Sequence, residues 1–179
     1  SEVDKVVKEI KEKLDEIRKE VEKVVREDER LLEEIERLAR KVVRENKELL
    51  KDIRREGRED TEKAREMLER SERKVRELIK EAKKILEESR ELVKRLTEKA
   101  REVLKEIRDE VKKLEDRTDD ETVARKLEEV VREVEEEVRR LEEKLKRSVE
   151  ETEREIRRVV KELEDSVRET EREVRRLSK

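Results

Sequence analysis

Arg55-Glu56-Gly57-Arg58-Glu59-Asp60 interrupts a helical pattern in a chain that has no proline to break it and only one glycine. Gly57 suits the position just after a helix C-terminus, with positive φ, and Asp60 suits the N-cap of the next helix, where a carboxylate accepts from an unpaired amide. A second break reads Asp116-Arg117-Thr118-Asp119-Asp120-Glu121. Thr118 and Glu121 have the spacing of a capping box, and apolar periodicity resumes at Val123. Ser1 and Asp4 form a weaker version of the same box. The breaks predict helices over about 2–56, 60–116 and 119–178, with turns at about 57–59 and 117–119. Each helix is then roughly 80–85 Å long at 1.5 Å per residue. Short turns between long, equal helices predict an all-α, antiparallel up-down-up three-helix bundle, a single domain over 1–179.

The apolar residues recur every 18 positions. Ile17, Ile35 and Ile53 share one row, as do Ala64, Ala82 and Ala100, and Leu127, Leu145 and Leu163. A heptad template fits the first helix from Val3 to Val21 and then drifts, so that Ile53 falls off it. Eighteen residues in five turns is the period of an unstrained helix, about 3.6 per turn, so the repeat imposes neither hand of supercoil and predicts a straight, untwisted bundle. The apolar positions of each helix occupy a single arc of roughly 120–140°, which two neighbouring helices can cover. Leu31, Leu38 and Val160 widen that arc locally.

Composition excludes much. Charged residues make up 62% of the 179 positions and hydrophobic ones 30%, a mixture that suggests disorder until the period is noticed. The formal net charge is only −3, and a disordered chain has no reason to keep a repeat. There is no His, Cys, Trp, Tyr, Phe, Pro or Gln, and a single Asn. Without His or Cys the commonest general base, metal ligand and thiolate nucleophile are all missing. No apolar run exceeds two residues, which rules out a signal-peptide core and a membrane-crossing helix and predicts a soluble chain suited to recombinant cytoplasmic expression. No basic block, aromatic platform or glycine-rich loop suggests nucleic acid or phosphate as a partner. The evenly mixed charge argues against a membrane surface.

The informative residues are polar ones on apolar rows. Ile10 is followed at the 18-residue spacing by Asp28 and Asn46. Ser71 and Ser89 lead to Ile107, Val130 leads to Ser148 and Ser166, and Val134 leads to Thr152 and Thr170. Counting from the first turn, Asn46 lies 11 residues before Gly57 and Ser71 lies 11 after Asp60, while Asp28 and Ser89 are each 29 away. The predicted bundle then stacks three layers: apolar Ile10, Ile107, Val130 and Val134; polar Asp28, Ser89, Ser148 and Thr152; and polar Asn46, Ser71, Ser166 and Thr170. A buried carboxylate only accepts and needs hydroxyl donors, whereas an amide both donates and accepts. An unmatched register would strand these groups in the core, so their expected contribution is specificity rather than net stability.

The restricted alphabet, the idealised repeat and the stacked polar layers resemble those of de novo designed helical bundles with buried hydrogen-bond networks. The resemblance covers the whole chain, and Asp28, Asn46, Ser71, Ser89, Ser148, Thr152, Ser166 and Thr170 carry it. It implies a stable scaffold with no natural biochemical function. Asp28 near Ser89 and Ser148 also invites a catalytic or metal-binding reading, but no His activates a serine and one carboxylate per layer is too few for a bundle metal site. The sequence thus predicts no enzyme, no cofactor and no metal. It predicts a monomer needing no partner, the alternative being a subunit or single-chain precursor of a designed homo- or hetero-oligomeric assembly.

Overall fold

The computed structural model describes all residues from Ser1 to Lys179. It contains three helices, α1 (Glu2–Glu56), α2 (Thr61–Arg117) and α3 (Glu121–Leu177), and no strand, and it is a three-helix bundle. No helix is long and apolar enough to cross a membrane. The buried face of each helix keeps the 18-residue phase: Ile17, Ile35 and Ile53 are all buried, as are Ala64, Ala82 and Ala100, and Leu127, Leu145 and Leu163. Leu38 is half-exposed, and Leu92 is the other large apolar side chain left open to solvent.

The helix ends agree with the reading at Asp60 and differ from it at two places. Asp60 accepts from the Lys63 amide at 3.0 Å, and its carbonyl accepts from Ala64 at 3.3 Å, an N-cap arrangement for α2. Ser1 Oγ accepts from the Asp4 amide and donates to the Asp4 carboxylate, closing the start of α1. Gly57, however, has no positive φ. Its amide bonds the Ile53 carbonyl at 2.8 Å, closing the last turn of α1. The glycine is there for lack of room: a Cβ at this position would run into Ile53 O and come within 2.7 Å of Leu177 Cδ1. The capping box at Thr118 is also replaced. Asp120 caps α3, accepting from the Thr122 amide at 2.9 Å, and Thr118 Oγ1 accepts from the Asp120 amide at 3.3 Å. The helix therefore begins at Glu121, two residues after the expected 119, because the Asp120 carboxylate caps a helix amide, that of Thr122, whereas Thr118 Oγ1 accepts only from the Asp120 amide.

Two compact units divide the chain, one of residues 1–27 and 89–150, the other of 28–88 and 151–179. Each contains a segment of all three helices. In the first unit, partners of α1 run down α2 as α1 advances: Glu2 with Arg117, Lys13 with Glu110, Glu20 with Lys99. Partners on α3 advance with it, Asp4 with Lys126 and Arg18 with Glu137. The second unit shows the same senses, with Glu45 against Lys74 and Glu56 against Lys63, then Glu36 against Arg158 and Arg54 against Glu173. Within each unit α2 is antiparallel to α1 and α3 is parallel to it, the up-down-up order.

The core of the first unit gathers Ile10, Ile17, Val21, Ile107, Leu127, Val134 and Leu145, with Val130 packed at its edge. The expected apolar layer lies within this cluster. The second unit has two clusters, one around Ile35, Ala82, Ile156 and Leu163 and one around Ile53, Ala64 and Val174. Along every helix of that unit, the residues between those clusters include a polar one.

Candidate functional site

Those polar residues are Asn46 on α1, Ser71 on α2 and Thr170 on α3, and Ser166 stands one turn before Thr170. Asn46 is 4% exposed, Ser71 2% and Thr170 1%, and Ser166 is half-buried. Ser71 Oγ donates to Asn46 Oδ1 at 2.6 Å, and Asn46 Nδ2 donates to Ser166 Oγ at 2.9 Å. One amide from α1 thus ties both other helices, using its acceptor toward α2 and its donor toward α3. The residue types fit the task, because a carboxamide offers a donor and an acceptor on two separate atoms of one short, uncharged group. Thr170 does not bond Asn46. Its hydroxyl donates to the Ser166 carbonyl one turn earlier, at 3.4 Å, the back-bond that a helical threonine reaches most easily.

The other four polar residues are buried as well: Asp28 is 4% exposed, Ser89 2%, Ser148 9% and Thr152 1%, and none of them lacks a partner. Asp28 and Thr152 belong to the second unit, Ser89 and Ser148 to the first.

A second set of groups escaped the sequence reading. Arg18, Glu36 and Arg54 form an 18-residue row on α1, Glu137, Glu155 and Glu173 form one on α3, and Arg140, Arg158 and Arg176 form another. Arg18 donates to Glu137 through Nε and Nη2, and Arg54 lies 3.9 Å from Glu173, which Arg176 also grips. The middle position breaks the pattern, because Glu36 faces Glu155 where an arginine would match. A hydrogen bond between the two carboxyl groups, with burial and the Glu155 charge behind it, holds the Glu36 pKa above its ordinary value. The same bond, together with one from Arg158, holds Glu155 below its own. Arg158 reaches both, at 3.0 Å to Glu36 and 2.6 Å to Glu155. Glu173 is held low by its bond from Arg176. The signal was present as spacing, hidden among the many charges of the solvated faces.

Chemically, the Asn46 layer contains no titratable group and no base to activate its hydroxyls. No group of three or more His, Cys, Asp or Glu side chains is placed to hold a metal ion. No protein family and no curated protein matches the chain. A solved structure described as a computationally designed three-helix bundle is similar to it at 16% identity, with 98% of this chain and 87% of that one covered and a TM-score of 0.37.

Proposed function

We propose that the chain is a de novo designed structural scaffold, without natural catalytic chemistry, in which buried polar side chains select one helix register. The observation that carries this reading is Asn46, whose single amide, between two apolar clusters of the second unit, is bonded to α2 on one side and α3 on the other. Sliding α3 by half a turn would leave Ser166 out of reach and the amide short of a partner. A buried polar group so stranded costs about 1–3 kcal/mol. The same layer made of aliphatic side chains would tolerate the slide, because greasy contacts carry little directional information. The palette of strong helix formers and the absence of nearly every reactive side chain support the same reading.

The test replaces Asn46 with Leu, Ser71 with Ala and Ser166 with Val together. We expect unfolding free energy equal to or above that of the parent, since well-packed apolar replacements often match a buried polar group. We also expect the amide NMR spectrum to change from one set of resonances to several overlapping sets. A triple variant that kept one sharp set of resonances would show that register is set elsewhere.

A further inference from the structure

A groove of about 540 Å3 between α1 and α3 of the second unit opens onto the Asn46 layer. Its floor includes Asn46, Ser166 and Thr170, where shorter polar side chains stand on rows that are otherwise aliphatic. Donors and acceptors on this floor do not balance. Asn46 has two N–H groups and bonds Ser166 with one. Ser166 accepts that bond, and its own hydroxyl proton meets no protein acceptor, while Thr170 spends its proton on the Ser166 carbonyl. Two donors therefore remain at the floor of a groove reached from solvent.

The walls differ in sign. On the α1 side Arg44 and Lys47 line the groove, and on the α3 side Asp165 and Glu169 do so. Arg44, Lys47 and Glu169 are exposed and committed to no ion pair, whereas Asp165 is drawn to Arg168 at 3.4 Å. A plain anion would meet cations on one wall and carboxylates on the other, and a plain cation would meet the reverse. A group carrying both charges meets an opposite sign on each wall and supplies the acceptor that the floor needs.

We propose that this groove binds a small zwitterion of the ω-amino carboxylate class. Its carboxylate accepts from Ser166 Oγ–H and from the second N–H of Asn46, with Arg44 and Lys47 beside it, and its ammonium lies against Glu169 and Asp165. A ligand of so few atoms in an open groove binds with a dissociation constant on the order of 1–10 mM.

The chain provides its own reporter. Asn46 is the only Asn and there is no Gln, so its side chain gives the single primary-amide pair in a 15N-correlated NMR spectrum. Titrating the folded protein with ω-amino acids from glycine to aminohexanoate at constant ionic strength should move that pair saturably, with one chain length binding best. Acetate alone and methylammonium alone should not. The surface variant Glu169→Ala, and Arg44→Ala with Lys47→Ala, should each weaken binding about two- to fivefold. The proposal is overturned if no length gives a saturable shift, if acetate or methylammonium reproduces it, or if the charge variants bind like the parent. None of these outcomes bears on the scaffold reading, which is tested by register and stability.

Discussion

Arg18 directs two guanidinium nitrogens, Nε and Nη2, at the same Glu137 oxygen, at 3.0 and 2.9 Å, and the position one repeat later holds a glutamate instead. That glutamate, Glu36, meets Glu155, so two carboxyl groups lean on one Arg158. Glu36→Arg should recreate the Arg18 arrangement and raise unfolding free energy by about 0.5–1 kcal/mol, as partly exposed pairs do. Glu36→Gln should gain a similar or smaller amount, because an amide donates to Glu155 without needing a proton. The sign with pH follows from the raised pKa. Glu36 contributes stability below the ordinary glutamate range, and that contribution is lost as pH rises through its elevated value. The gain of Glu36→Gln over the parent should be largest near pH 7 and shrink as the pH falls below about 5. Urea melts of both proteins across that range check it. A gain that grew on acidification would contradict the carboxyl pair.

Asn46 and Thr170 share a layer and differ in what they connect. Asn46→Ala removes bonds to two helices and leaves a small void, at a cost of about 2–4 kcal/mol. Thr170→Val removes a hydroxyl that bonds only its own helix, and should change stability by less than about 1 kcal/mol. Chemical denaturation of the two variants side by side makes the comparison, and equal losses would mean that Thr170 also holds the layer together.

Gly57→Ala should destabilise by about 1–3 kcal/mol through overpacking rather than through backbone conformation. Leu177 can swing aside, but the Ile53 carbonyl cannot move without disturbing the last turn of α1. Shortening Leu177 to Ala in the same protein should therefore recover only part of the loss. Thermal melts of the single and double variants measure the coupling.

At the second turn, Asp120→Ala should cost about 1 kcal/mol, the usual worth of an N-cap, and Thr118→Ala only a few tenths. Amide hydrogen exchange at Thr122 should quicken in the first variant and stay nearly unchanged in the second.

The meeting of Asn46 with Ser71 could be read by counting from the turn, because every helical residue rises by the same 1.5 Å. Ser166 could be placed the same way from the second turn. Thr170 shows where counting stops: it sits at the right height, but a threonine in a helix has a carbonyl of its own within reach, and height says nothing about that choice. Gly57 was legible as a break and illegible as to cause, since one residue type serves both positive φ and close approach. Thr118 and Asp120 are both good caps, and the competition is settled by backbone geometry that spacing alone does not encode. Glu36 was hidden differently. Its row was present in the spacing, but in a sequence so rich in charge a single reversed sign stands out only once its neighbours across the groove are known.

The constant phase of the buried rows makes each helix a ruler graduated in steps of eighteen. Excising one graduation returns every side chain beyond the cut to the direction it already faced, whereas excising seven residues would turn all of them by about 20°. Length and sidedness are thus uncoupled in this chain, and rods of other lengths can be cut from the same pattern without redrawing a face.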